Sequence, residues 1–235
     1  MSAPIEHLRQ RVGGARVVLW DFDGPICGLF AGLSAELIAR DMIDWLEARG
    51  LRGFLREEEL RSTDPHFVLR AVGSRYPHSD LVAELEERLT LEELRATDSA
   101  MPTAYADPLI RTWHAVGARL AIATNNAPRA VRRYLDGRGL TNCFAPHIYG
   151  RTAQLHLLKP DPHSLQRALR AIGSAPEDAL MIGDMPSDCH AAQEAGVPFL
   201  GYARNAESGG WLREAGADVV VGSLESVLKV VRRGR

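Results

Sequence analysis

Five apolar runs, each only three or four residues long, constrain this chain more than any other feature. They are Val17–Trp20, Leu120–Ala123, Leu180–Ile182, Val197–Leu200 and Val219–Val221. Each is too short for a helix and is bounded by polar or turn residues, so each reads as a strand buried on both faces. Helical patterns fall between them, at Ala127–Asp136, Pro162–Ile172, Ser187–Ala195 and Leu224–Val231. Strands that alternate with helices predict a parallel sheet joined by right-handed crossovers.

The segment from about Gly28 to Pro102 breaks this rhythm. It has no convincing strand, and its apolar residues recur at helical spacing: Leu33, Leu37, Ile38, Met42, Trp45 and Leu46, then Leu81, Leu85, Leu89 and Leu94. The expected architecture is α/β: a Rossmann-like parallel sheet core with helices on both faces, from residues 1–27 and 103–235. An inserted all-helical module occupies 28–102. A module that leaves and rejoins the sheet within one crossover should have its two linkers close together. Asp-Pro pairs at 64–65, 107–108 and 161–162, each followed later by Gly73, Gly117 or Gly173, predict helix starts and stops. Thr90 to Glu93 fits a capping box.

Composition excludes several classes of function. A net charge of −2 gives no global attraction for nucleic acid or an anionic membrane. No apolar run approaches the roughly 18 residues of a membrane span, and Met1 to Ala15 carries no signal-like stretch. Cys27, Cys143 and Cys189 are an odd, widely spaced set, which suits a reducing compartment, so a cytoplasmic location is expected. Lys159 and Lys229 are the chain's only lysines.

Four places carry candidate chemistry. The first strand runs into Asp21-Phe22-Asp23-Gly24, two carboxylates at a carboxyl end, where open parallel sheets bind ligands. Asp-Gly is also a common turn, so the pair alone is ambiguous. The second run ends in Thr124-Asn125-Asn126, which serves as a helix cap or as an anion site. Lys159 stands before a helix start, a position the helix dipole disfavours unless an anion is near. Asp184 ends a further strand and Asp188 opens the next helix, hard oxygen donors of the kind that suit Mg²⁺.

Taken in order, these four stretches resemble the motifs of the haloacid dehalogenase-like hydrolase superfamily: an aspartate pair, a Thr/Ser, a Lys and an acidic pair. The resemblance spans Val17 to about Gly222 and is most specific at Asp21–Gly24, Lys159–Leu169 and Gly183–Gly196. The helical insert resembles the cap of phosphoglycolate phosphatase-like members. The resemblance implies a Mg²⁺-dependent phosphatase of a small phosphorylated metabolite. Asp21 is then the nucleophile and Asp23 the acid and base, while Thr124, Asn125 and Lys159 bind phosphate. Mg²⁺ is implied at Asp21, Asp23 (through its carbonyl), Asp184 and Asp188.

Two positions depart from the family pattern. Pro25 stands where threonine is usual, removing a hydroxyl and an N–H. Met185 replaces a small hydroxyl residue. A phosphosugar mutase on the same core and a catalytically weak phosphate-binding protein are the alternative readings. A dehalogenase would not need Asp23, and a phosphonate hydrolase would need a cap lysine, which 28–102 lacks. Specificity is expected from the cap, with Arg61 and His66 as candidate contacts.

Overall fold

The computed structural model describes residues 3–51, 53 and 55–233. Helix α1 (Ala3–Gly13) precedes β1 (Val17–Trp20), after which a turn leads to the two-residue β2 (Cys27–Gly28). Four helices follow: α2 (Ala35–Ala48), α3 (Glu57–Leu60), α4 (Pro65–Arg75) and α5 (Asp80–Ala96). The chain returns through β3 (Met101–Pro102) to α6 (Ala106–Ala115), β4 (Arg119–Ala123), α7 (Pro128–Arg138), α8 (Thr141–Phe144) and β5 (Ile148–Tyr149). It finishes with α9 (His163–Ile172), β6 (Ala179–Gly183), α10 (Pro186–Glu194), β7 (Phe199–Tyr202), α11 (Ala206–Glu214), β8 (Val220–Val221) and α12 (Leu224–Arg233).

Six strands form one parallel sheet in the order β5-β4-β1-β6-β7-β8. Alternation along the strands divides the core in two. Val18, Trp20, Leu120, Ile122, Leu180 and Ile182 pack on one face, with α6, α7, α8 and α12. Val17, Leu19, Ala121, Ala123 and Met181 pack on the other, with α9 and α10. Both faces are apolar because both are covered by helices, the condition a parallel sheet requires.

Residues 28–102 hold a third apolar cluster, built on Ile38, Met42, Leu46, Val68, Leu69, Leu85 and Leu89. The linkers to this segment pair directly as an antiparallel ribbon, Cys27 with Pro102 and Gly28 with Met101. Leu155 and Leu158, from the stretch just before Lys159, also pack into the third cluster. Leu37 departs from the expected apolar stripe and is exposed.

Four local expectations are corrected. Thr90 does not start a helix: α5 runs unbroken through it, and its hydroxyl donates to Glu86 one turn back (3.0 Å). Gly73 does not stop α4, which continues to Arg75; a Cβ at Gly73 would lie 2.6 Å from Leu155, so the glycine serves close packing instead. α6 starts at Ala106, one residue before the Asp107-Pro108 pair. By contrast Asp64 caps α4, accepting from His66 N–H (2.8 Å). The strand expected at Val197–Leu200 lies two residues later, because Val197 N–H closes the end of α10 on Ala192 O.

Candidate active site

β1 is the central strand, and Asp21 is the first residue beyond it. Its backbone N–H donates to Ile182 O (2.8 Å), continuing the ladder and fixing the carboxylate at the sheet's carboxyl edge. Parallel order brings the ends of β4, β6 and β7 to the same edge, so Thr124, Asp184 and Arg204 converge there although far apart in sequence. Gly24 closes the turn after Asp23 at φ +115°, and a Cβ there would overlap the Asp184 carboxylate. Only glycine allows that approach.

Lys159 is buried at the centre of the cluster. Its Nζ donates to Asp21 Oδ1 (2.7 Å), Ala123 O (3.0 Å) and Asp188 Oδ1, which uses all three ammonium protons. Asn125 clamps the lysine backbone from both sides: Lys159 N–H donates to Oδ1 (2.8 Å) and Nδ2 donates to Lys159 O (3.2 Å). Burial alone would lower the lysine's pKa, but the Asp188 and Asp21 carboxylates outweigh it and raise it. Asp188 Oδ2 accepts the N–H groups of Asp184 (3.1 Å) and Met185 (3.0 Å) at the start of α10. Met185 thus contributes its backbone, and its side chain is exposed.

The carboxylates of Asp21, Asp184 and Asp188 have oxygens within 4.8 Å of one another, all buried. Arg204 Nη2 donates to Asp184 Oδ2 (2.7 Å), whereas the buried Asp184 Oδ1 has no hydrogen-bond partner. Burial, with Asp188 and Asp21 adding to it against Arg204, pushes Asp184 up to about 8. Burial also raises Asp188 despite Lys159. These are the marks of an under-neutralised acidic cluster, and a divalent cation with oxygen ligands fits the orphaned oxygen and the donor set.

Asp23 is half-buried and one oxygen accepts Leu29 N–H (2.8 Å). Burial raises its pKa to about 6, opposed by that hydrogen bond and reinforced by Asp21. The turn that Pro25 occupies is closed without it, by Gly24 N–H to Cys27 O (2.6 Å) and Thr103 Oγ1 to Gly24 O (2.5 Å).

A cavity of about 230 Å³ is lined by Asp21, Asp23, Thr124, Asn125, Lys159, Asp184 and Asp188 together, with Phe30, Thr63 and His66 from the helical segment. Arg61 is not among its lining residues. It is exposed and folds back on Glu57 one helical turn earlier (3.0 Å). His66 lines the cavity but both ring nitrogens face carboxylates: Nε2 lies 3.0 Å from Glu93 and Nδ1 3.4 Å from Asp64. Burial would lower its pKa, yet these partners raise it to about 9, so it is an imidazolium at neutral pH. Its ring wall borders the cavity, while its N–H groups are already used.

Sequence reasoning missed Arg204, Glu93 and Arg151. Arg204 follows β7 at the carboxyl edge, where the topology alone marks a ligand position. Glu93 falls on the buried stripe of α5 with Val82, Leu85 and Leu89, and a carboxylate on an apolar stripe was a signal that it has a buried partner. Arg151 carried no sequence signal.

The model of the haloacid dehalogenase-like hydrolase family matches residues 15–196, and the chain belongs to that family. It is 34% identical over 222 residues to phosphoglycolate phosphatase 1 of Pseudomonas aeruginosa, covering 91% of this chain and 78% of that protein. It is 28% identical over 198 residues to a phosphoglycolate phosphatase of Rhodospirillum rubrum, covering 80% of this chain and 81% of that one. A solved haloacid dehalogenase-like hydrolase from Bacteroides fragilis shares the fold, with a TM-score of 0.67 at 20% identity, covering 91% of this chain and 99% of that one. The chain is thus an α/β hydrolytic enzyme, and among the described residues no helix is long and apolar enough to cross a membrane.

Proposed function

We infer that the protein is a Mg²⁺-dependent phosphatase that hydrolyses a small phosphorylated metabolite through an aspartyl-phosphate on Asp21. One observation carries this reading: Asp21 stands at the edge of the central strand with Lys159 Nζ at 2.7 Å, beside a buried carboxylate cluster whose orphaned Asp184 oxygen calls for a cation. Asp21, Asp184, Asp188 and the Asp23 carbonyl would hold Mg²⁺, which when bound neutralises phosphate charge so that a carboxylate can approach it.

The residues of the chain do the rest. An Asp21 oxygen attacks phosphorus as the bond to the leaving oxygen breaks, and Asp23 gives that oxygen its proton. Water then attacks the aspartyl-phosphate, Asp23 takes the water's proton, and the Asp21–phosphorus bond breaks to free phosphate. A carboxyl near pKa 6 suits both transfers close to neutral pH. Lys159 and the Thr124–Asn125 loop orient the phosphoryl group and balance its charge.

The small cavity supports a small substrate, below the roughly 300–1,000 Å³ of drug-sized pockets. In this reading 28–102 is a cap that excludes water and touches the leaving group. Three unpaired cysteines support a reducing, cytoplasmic setting. The test is phosphate release from a panel of phosphorylated metabolites, 2-phosphoglycolate included because of the relatives' names, with Mg²⁺ and with excess chelator. Full turnover in chelator rejects the metal, and isomerised product without free phosphate makes the protein a mutase.

A further inference from the structure

Glu93 lies near the end of α5, fully buried, yet its carboxylate leaves the helical segment and enters the sheet domain. Oε2 accepts Ala127 N–H (2.9 Å) at the start of α7, and Oε1 accepts Asn126 Nδ2 (3.0 Å). Arg151 grips both oxygens (2.8 and 3.0 Å), and the same guanidinium donates to Thr90, Glu86 and Asn125 O. On the segment's own side, His66 Nε2 meets Oε1 at 3.0 Å.

The far side of this network is the phosphate-binding loop. Asn126 Oδ1 accepts the Thr124 hydroxyl (2.9 Å), and Thr124 Oγ1 accepts Asn126 N–H (3.2 Å). Asn125, whose carbonyl Arg151 holds, clamps Lys159. Thr124, Asn125 and Lys159 are therefore each within a few hydrogen bonds of one carboxylate from another part of the chain. Withdrawing α5 would break the Arg151 contacts with Glu86, Thr90 and Glu93 and take from Asn126 Nδ2 and Ala127 N–H their acceptor, so the seated helix and the ordered loop support each other. Leu155 and Leu158, packed among the segment's own apolar residues just before Lys159, give the same linkage in apolar form.

We propose that Glu93 is a positioning residue that couples the packing of the helical segment to the geometry of the Thr124–Asn126 loop, so that phosphate held by the loop tightens α4 and α5 through this carboxylate. The proposal rests on the phosphatase reading only for the identity of the ligand.

Inorganic phosphate is the probe. Its affinity is measured by calorimetry, with Mg²⁺ present, for the full chain and for Glu93→Gln, and backbone hydrogen exchange is followed in α4, α5 and the first turn of α7. In the unmodified protein phosphate should slow exchange in α4 and α5, although no phosphate ligand lies there. Glu93→Gln should bind phosphate about 5- to 150-fold more weakly, the usual span of site-to-site coupling, and should lose that distant protection. Affinity within twofold of the original overturns the proposal, and so does weaker binding with the protection intact. Should Glu93→Gln not fold, Arg151→Lys decides: it keeps the charge, loses the fork, and should show a smaller loss of the same two kinds. If the unmodified chain neither binds phosphate nor cleaves any phosphate ester, the phosphatase reading fails. The coupling is then judged without ligand, since Glu93→Gln must speed exchange in α4 and α7 together.

Discussion

Two buried charge clusters lie side by side in this protein and are built on opposite terms. Around Glu93 each charge meets its counterpart: Arg151 and His66 face Glu93, which also accepts Asn126 Nδ2, and the guanidinium donates further to Thr90, Glu86 and Asn125 O. Burial alone would raise the Glu93 pKa, but Arg151 and His66 outweigh it and bring it to about 2. At the sheet edge, Asp21, Asp184 and Asp188 share Lys159 and Arg204, and burial drives Asp184 the other way, to about 8. The lesson is one of purpose. A completed network holds elements together, whereas an incomplete one leaves unfavourable negative charge that a divalent cation would relieve.

The sharpest test of this contrast is catalytic. Asp21→Asn leaves a cluster that still packs but removes the attacking oxygen, so steady-state turnover should fall on the order of 10⁴–10⁶-fold with the melting temperature little changed. Turnover within tenfold of the original would place the nucleophile elsewhere. Removing one charge from each cluster should then move stability in opposite directions. Arg151→Met takes from the buried Glu93 its bidentate cation and leaves His66 as its one charged partner, a loss of about 3–5 kcal/mol in urea denaturation. Asp184→Asn relieves repulsion and should stabilise the metal-free protein by on the order of 1–3 kcal/mol at pH 8. If Mg²⁺ binds as proposed, it should raise the melting temperature of the parent, and Asp184→Asn should cancel most of that rise. Equal signs for the two variants break the comparison.

Titration separates the clusters without mutation. Asp23 and Asp184 are raised from 3.8 to about 6 and about 8, so they stabilise the fold below pH 4 and that stability is lost as pH rises through those values. His66, raised from 6.5 to about 9, contributes fully below 6.5 and loses its share as pH passes 9. Glu93, lowered from 4.5 to about 2, contributes above 4.5 and fails only as pH falls through 2. Between pH 4.5 and 6.5 the Glu93 network is therefore flat, and the metal-free protein should lose up to about 1.4 kcal/mol per pH unit for each site that titrates. Saturating Mg²⁺ should flatten that slope, as chemical denaturation across the range would reveal. The smallest effect is expected outside both clusters. Arg61→Ala removes an exposed pair with Glu57 and should change stability by less than about 1 kcal/mol, with no change in the ranking of substrates by kcat/KM.

Much of this was legible in the chain itself, for a definite reason. Short apolar runs against helical spacing dictate a parallel sheet, and the period-2 alternation buries both of its faces. Parallel order then sends Asp21, Thr124 and Asp184 to one edge, so residues at strand ends could be read as a site before any coordinates. Side chains whose partners lie far away in sequence could not be read in that way. Glu93 looked like part of a helix cap because Thr90 stands three residues before it, and only packing showed α5 continuous and Glu93 turned toward Arg151. Arg61 and His66 both suggested substrate contacts; Arg61 pairs with Glu57 one turn away, and His66 is consumed by Glu93. Local spacing determines which elements form and which strand ends meet, because those depend on periodicity and topology. Which buried charge finds which partner was decided by the tertiary fold alone, since it depends on distances between residues that sequence order does not encode.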